Sequence, residues 1–464
     1  MKKALKTILL LSIVSIFGYW GYTWYNNTAS LLGIIHKDAD SAIKISIHDI
    51  KKTLLLDAVT SPTYYYSNVS FKQKKTSKDT IDKKGVDFLP YNLVLFTVPK
   101  IENTYFSVLP IKDTNAFNNQ LEDYVSSKEL TLHTDTENNT YWLENKKQHW
   151  VCAWDAEKLI LSFGLENSYS KSKNIFLDVL KHNRVIKSKN NNWITSLSKT
   201  KGHITYLTKK SKIELEFKDG EAVLGGIIKT DEIRAYPEKV TYAKIPEASV
   251  DFYWDGNFKN KKNREQFVTS WKSNSFLRKM NLDLPQMVEL TNGFFYMGIN
   301  GTTKQTDTIV TYTYDDNFNK VEQKTHQEKE VPNMIVNLGK EKQSIKTYLS
   351  QQNLITQNQV FTGVPLYQFY VEEDTIHTIF KTGELKTPLE QVTSTNFMNL
   401  SINFSKAKED FQIPQLNSYF NLLQELQLSV KQSTDKELLL EGNIQGKIED
   451  INLLSQLFFG LDKD

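Results

Sequence analysis

The chain has 464 residues and a single cysteine, Cys152. One cysteine cannot form an intramolecular disulfide, a CxxC redox pair or a cysteine-rich zinc site. Its setting, Trp150-Val-Cys-Ala-Trp154, reads as a buried strand, where a thiol is inert rather than nucleophilic. The eight histidines are scattered, and none belongs to HExxH or another short metal motif. No GxSxG elbow and no P-loop is present, and the glycines at Gly220 to Gly226 leave a turn instead of opening a helix. Net charge is only +3, which provides no general attraction to nucleic acid. The reading therefore assigns no catalytic residue, no metal ligand, no cofactor and no nucleic-acid partner.

What is present is a core-forming composition, with 39% hydrophobic and 24% charged residues. Aromatics reach 12%, which favours β-rich structure. The length suggests two to three domains. Lys2, Lys3 and Lys6 precede an uncharged run from Thr7 to Tyr25, with Tyr19, Trp20, Tyr22, Trp24 and Tyr25 at its far end. Such a run spans about 28 Å as a helix, close to one hydrocarbon core, and the charge asymmetry points the body outward. Residues 1–30 are thus expected to form a transmembrane anchor. A cleaved signal peptide ending near Thr28-Ala29-Ser30 is the alternative. No cysteine follows the run, which argues against a lipoprotein.

Beyond the anchor, the chain reads as α+β, in two related lobes with antiparallel sheets and packed helices, at 31–243 and 244–464. Ser41 to Ile47 alternates as a strand, and a helical stretch follows it. Asn92 to Val98 and Tyr105 to Leu109 read as a hairpin, and Asp113 caps a helix bearing Phe117, Leu121 and Val125. Lys212 to Phe217 and Ala222 to Ile228 flank Asp219-Gly220 as another hairpin. The pattern then restarts. Ser249 to Trp254 resembles the first strand, and Leu282-Asp-Leu-Pro285 resembles Val86-Asp-Phe-Leu-Pro90. An ungapped match pairs Phe106 with Met334, Val108 with Val336, Phe117 with Ile345 and Leu121 with Leu349. Trp154 to Leu159 matches Val371 to Ile376, each an acidic turn between strands, and Phe163 matches Phe380. A helix is expected at Leu416 to Leu426. In each half the helix should fold onto a strand through Phe106 and Val108, or Met334 and Val336.

Three features resemble a loose group of uncharacterised, exported bacterial envelope proteins. They are the first strand at Ala42-Ile-Lys-Ile, the run Pro110-Ile-Lys-Asp-Thr-Asn-Ala-Phe117, and the turn Trp154-Asp-Ala-Glu157. The resemblance implies an envelope setting and the fold class, and carries over no catalytic residue.

Weaker candidates complete the reading. His36, Asp38 and Asp40 share alternate positions and could grip a cation, although such a segment is more often a linker and strand start. Glu372-Glu373-Asp374 reads as a solvated turn rather than a glycosidase pair. The run Lys72 to Lys84 and the cluster Lys259, Lys261, Lys262, Asn263 and Arg264 could meet anionic lipid or polysaccharide, or be solvated loops. The Asn-x-Ser/Thr sites, such as Asn138-Asn-Thr140, matter only in a eukaryotic host. Three functions follow. The first is a membrane-anchored, extracytoplasmic interaction or scaffold module, held in the cell membrane by one pass, with envelope proteins, lipids or glycans as partners. The second is a periplasmic lipid- or glycan-binding protein with a pocket between the lobes. The third is a hydrolase with a dispersed site.

Overall fold

The computed structural model describes residues 22–68, 85–128, 130–164, 167–229, 239–258, 260–271, 282–314, 318, 320–364, 366–385, 387–434 and 436–460. The chain divides into two compact units, 1–217 and 218–464.

In the first unit the order is β1 (Ser41–Ile45), α1 (Ile47–Thr60), α2 (Pro62–Asn68), β2 (Leu93–Val98), β3 (Ile101–Pro110), α3 (Thr114–Lys128) and β4 (His133–Asp135). Then come β5 (Thr140–Asn145), β6 (Trp150–Trp154), β7 (Lys158–Phe163), α4 (Tyr169–Leu180), α5 (Asn192–Ser198), β8 (Ile204–Thr208) and β9 (Ser211–Lys218). Every pairing is antiparallel, and the path across the sheet is β4-β5-β6-β7-β3-β2-β1-β8-β9. Side chains alternate between faces along each strand. One face carries Val94, Phe96, Phe106, Val108, Val151 and Ile160, under Ile175, Phe176 and Val179 of α4 and Ile194 and Leu197 of α5. The other carries Leu109, Cys152, Trp154 and Leu159, under Phe117 of α3.

The second unit runs β10 (Glu221–Lys229), β11 (Val240–Lys244), β12 (Val250–Asp255), α6 (Lys261–Trp271), α7 (Leu284–Leu290), β13 (Thr291–Tyr314), β14 (Lys320–Lys340), α8 (Ile345–Gln351) and β15 (Val360–Phe361). It continues with β16 (Phe369–Glu373), β17 (His377–Lys381), β18 (Glu390–Ser394), β19 (Met398–Asn403), α9 (Phe404–Phe411), α10 (Asn417–Leu422), β20 (Leu423–Thr434), β21 (Glu437–Gly446) and α11 (Leu453–Gly460). Its sheet follows β15-β16-β17-β14-β13-β12-β19-β20-β21-β10, again antiparallel throughout. Strand for strand, β16-β17-β14-β13-β12-β19-β20 repeats β6-β7-β3-β2-β1-β8-β9. One face packs under Ile345, Tyr348 and Leu349 of α8. The other packs under a separate ribbon of β11 and β18, through Tyr242, Tyr253 and Tyr296.

Several expectations are corrected. The architecture is dominated by antiparallel strand, 43% against 29% helix. The transmembrane anchor over residues 1–30 is not supported: among the described residues, no helix is long and apolar enough to cross a membrane. Residues 1–21 lie outside the described residues. The described remainder, helical over 22–29, is tied to its own unit by polar groups. Asn27 Nδ2 donates to Ser198 O at 2.9 Å, and Tyr91 Oη donates to Thr23 O at 3.3 Å. Those bonds tie residues 23 and 27 to the protein, while the side chains of Tyr22, Trp24 and Tyr25 stay exposed. The signal anchor and the single-pass cell-membrane localisation fall with it, and the membrane as a partner through that helix is left without support.

The expected repeat also slips in register. Phe106 and Val108 face α4, and it is Leu109 and Ile111 that pack with Phe117. In the second unit Met334, Val336 and Leu338 do pack with Ile345. The ungapped match is therefore one residue out on the strand, and a one-residue slip exchanges the two faces. The helix expected at Leu416 to Leu426 ends at Leu422, where β20 takes over. The unit break falls at Phe217/Lys218, not near 243, because β10 pairs with β21 over its whole length.

Candidate functional site

The acidic turns give the register in which the two units correspond. Asp155 Oδ1 accepts from the backbone N of Glu157 and Lys158, both at 2.8 Å. Asp374 Oδ1 accepts from the N of Ile376 and His377, at 2.7 and 2.6 Å. Each turn is closed by an aspartate N–H bonded to the carbonyl three residues on. Asp155 thus corresponds to Asp374, two residues from the expected match of Trp154 with Val371, and Phe163 does not correspond to Phe380.

Apolar side chains, several at positions matched by this register, frame a cavity in each unit. In the first, a cavity of about 450 Å³ lies between α3 and the sheet, against Val86, Phe88, Phe117, Leu121, Trp150 and Leu161. In the second, a cavity of about 280 Å³ is framed by Leu282, Leu284, Leu349, Phe369, Phe380 and Val336. Trp150 and Phe369 each lie five residues before the turn aspartate; Leu161 and Phe380 each lie six after it. Val86 and Phe88 stand in Val-Asp-Phe-Leu-Pro, and Leu282 and Leu284 in Leu-Asp-Leu-Pro. Asp283 caps α7, accepting from Gln286 N at 3.2 Å, and so seats Leu284 and Met287 over the sheet. The local reason is alternation: on β6 and β7, Trp150, Cys152, Leu159 and Leu161 share the face that α3 covers.

The linings differ in polarity. Every described residue lining the second cavity is aliphatic, aromatic or methionine. The first adds Gln120, Tyr124 and the Cys152 thiol. Burial pushes that thiol up to about 12, so it stays protonated and serves as a small apolar group. The mouth of the first cavity is marked by exposed aromatics, with Phe88 45% and Tyr124 39% accessible. Apolar gaps of this kind suit apolar guests.

The sequence-read candidates take other roles. His36 Nε2 lies 3.2 Å from Asp178 Oδ2, and its Nδ1 accepts from Asp38 N. Asp38 is held below its ordinary carboxylate pKa by the Arg184 guanidinium, which donates to both of its oxygens. Asp40 accepts from Thr97 Oγ1. The three groups thus turn to separate partners, and among the described residues no cluster is fit to hold a metal ion. Glu372 pairs with Lys381 at 2.7 Å and Glu373 with Lys340 at 3.4 Å, while Asp374 caps its turn, so these carboxylates do not converge. Lys72 to Lys84 and Lys259 lie outside the described residues. Lys261 lies 3.7 Å from Glu265 on an exposed helix face. Neither cavity was singled out from the sequence, although the paired Asp-Phe-Leu-Pro and Asp-Leu-Pro segments mark one wall of each.

No family model matches the chain, and no curated protein matches it. Among solved structures, the chain is similar to one titled "Structure of crystal form I of TP0453". Identity is 11%, over 78% of this chain and 92% of that one, with a TM-score of 0.23. A TM-score that low carries no argument about fold or function.

Proposed function

We propose that this protein binds acyl chains, one in the apolar cavity of each unit. The supporting observation is the recurrence: equivalent positions in two units keep a hydrophobic gap between helix and sheet. A gap that only reflected poor packing would have no reason to recur, because interiors are close-packed and voids are costly. The preferred guest is aliphatic, since the described residues of the second lining offer no hydrogen-bonding side chain. Each methylene buried there contributes about 0.8 kcal/mol. The pocket expected between the lobes is thereby replaced by one within each unit. The envelope setting implied by the sequence resemblance is part of this proposal.

The test is displacement of a fluorescent acyl probe, dansyl-undecanoic acid, from delipidated full-length protein. Saturable binding, displaced by decanoic acid and weakened by both Leu121→Trp and Val336→Phe, is expected. Probe binding that is absent, or indifferent to both substitutions, would reject the proposal.

One observation favours a second reading, an interaction module. The β13–β14 hairpin continues past the sheet. Pairing of β13 with β12 ends at Ile299 and that of β14 with β17 at Ile335, yet β13 and β14 stay paired out to Tyr314 and Lys320. The residues from Lys320 to Glu328 are exposed on both faces. A lone two-stranded ribbon is marginal in water, so a projecting one is suited to adding strands from another chain. Replacing 307–329 by a two-residue turn should leave acyl binding intact and abolish partner capture if this reading holds.

A further inference from the structure

The first unit carries a second concavity of different chemistry. A cleft of about 840 Å³ lies between Lys37, the 183–193 segment, α5 and the β8–β9 turn. Among the described residues three cations line it, Lys37, Lys187 and Lys209, and no acidic residue does. The neighbouring carboxylates are engaged elsewhere: Asp38 by Arg184 at 2.7 Å, and Asp178 by His36 at 3.2 Å. Lys187 also acts on its surroundings, contributing to the lowered pKa values of Lys158 and His182, in which burial is the larger cause. Trp193 forms an aromatic wall, and it is half-buried against the core behind it. The walls are built on fixed turns. Asn191 caps α5 by accepting from Trp193 N at 2.9 Å, and Thr208 Oγ1 accepts from Lys210 N and Ser211 N beside Lys209.

The cleft is far larger than a single inorganic anion needs. Between the lysines it offers the amides of Asn183 and Asn192 and the hydroxyls of Ser188 and Ser196. A comparable cleft in the second unit shows the contrast. Its Lys406 is paired with Glu247 at 3.0 Å, and Asp251, Glu425 and Glu441 share its walls with Lys244, so carboxylates outnumber cations there.

We propose that the first-unit cleft binds an acidic saccharide. Carboxylate or phosphate substituents would meet Lys37, Lys187 and Lys209, a sugar ring would lie on Trp193, and hydroxyls would meet the Asn and Ser side chains. The charge contacts are solvent-accessible, so binding weakens as salt rises. The inference is independent of the acyl-chain reading, since it uses other residues.

The experiment is fluorescence anisotropy of a labelled oligogalacturonate with the full chain at low salt. A neutral dextran oligomer, a DNA duplex and phosphatidylglycerol vesicles serve as comparison arms. The expected result is binding of oligogalacturonate over all three. The triple variant Lys37→Gln, Lys187→Gln, Lys209→Gln should lose about tenfold or more in affinity, as three exposed charge contacts of modest worth would give. Trp193→Phe keeps an aromatic wall and should bind more tightly than Trp193→Leu. Thermal transitions of the variants identify any that misfold, and the surface lysine variant should match the parent. No oligogalacturonate binding, unchanged affinity in the folded triple variant, or equal or tighter binding of the duplex or the vesicles would each overturn the proposal.

Discussion

The two units share a strand path and differ in what covers one face. On the cavity face, both place a helix after the third repeated strand, α3 or α8, over side chains of matching position. On the opposite face they diverge. The first unit covers it with α4 and α5, whose Phe176, Val179, Ile194 and Leu197 are almost fully buried. The second covers it with the β11–β18 ribbon, where Tyr242 stacks on Tyr253 with centroids 4.5 Å apart. Tyr296 Oη there accepts from Ile245 N at 2.8 Å. A sheet face can thus be closed by either device, so closing it does not dictate a particular side-chain set. The cavity face keeps apolar side chains at matching positions as well as its path, Trp150 with Phe369 and Leu161 with Phe380, and that makes the cavity the feature held in common.

The comparison breaks most readily at the helices. Phe117 lies edge-on to Trp154, centroids 5.6 Å apart, and Phe117→Ala should cost about 3–5 kcal/mol. Ile345, fully buried, should cost about 2–5 kcal/mol as Ile345→Ala. Exposed neighbours, Asn118 and Thr347, should cost under about 0.5 kcal/mol as alanine. Urea unfolding measures all four, and equal costs for core and exposed positions would deny that these helices hold the cavity face.

A smaller effect distinguishes the opposite faces. Lys44 points into the first unit's helix-covered face, where its Nζ donates to Leu197 O at 2.9 Å. Burial lowers its pKa to about 8, against nearby Asp49 and Glu214, which raise it, and Lys212, which lowers it further. Between about pH 8 and the unfolded value near 10.5, the unfolded chain holds the extra proton, so stability should rise with pH. Lys44→Met should flatten that rise and add about 1–3 kcal/mol at pH 7. The Leu197 carbonyl keeps Thr200 Oγ1 as a donor at 2.8 Å, so it is not orphaned. Thermal melts from pH 6 to 10 provide the test, and a variant less stable than the parent at pH 7 would contradict the account.

Smaller still is the effect of filling the gaps. Leu121→Trp or Val336→Phe should change stability by about 0.5–2 kcal/mol, in the stabilising direction if the added ring fits the gap. Cys152 reports on the first cavity alone. With its thiol raised to about 12, it should label slowly in the folded chain, and more slowly with decanoic acid present. Rapid labelling would place that side chain elsewhere.

Much of the element order is legible in the sequence, because it rests on local signals. Alternation at Ala42 to Ile45 marks β1, Asp113 caps α3, and Asp155 and Asp374 mark their turns. The facing of the strands is not legible in the same way. Phe106, Val108 and Leu109 are all buried, because this sheet has both faces covered, and a strand buried on both sides loses the alternation that fixes register. The extent of β20 is obscured for a similar reason: Leu416, Leu422 and Leu426 fit a helical spacing, and the pairing with β19 and β21 decides the outcome from Leu423 onward. The cavities are still less legible. They are made by what the side chains leave unfilled, which depends on the distance between helix and sheet.

The most direct test of the central claim is a count of bound acyl chains. Native mass spectrometry of delipidated full-length protein with decanoic acid should show two chains per molecule. Leu121→Trp and Val336→Phe should each show one, and the double variant none. Two chains still bound to the double variant, or none bound to the parent, would contradict the assignment of one acyl site to each unit.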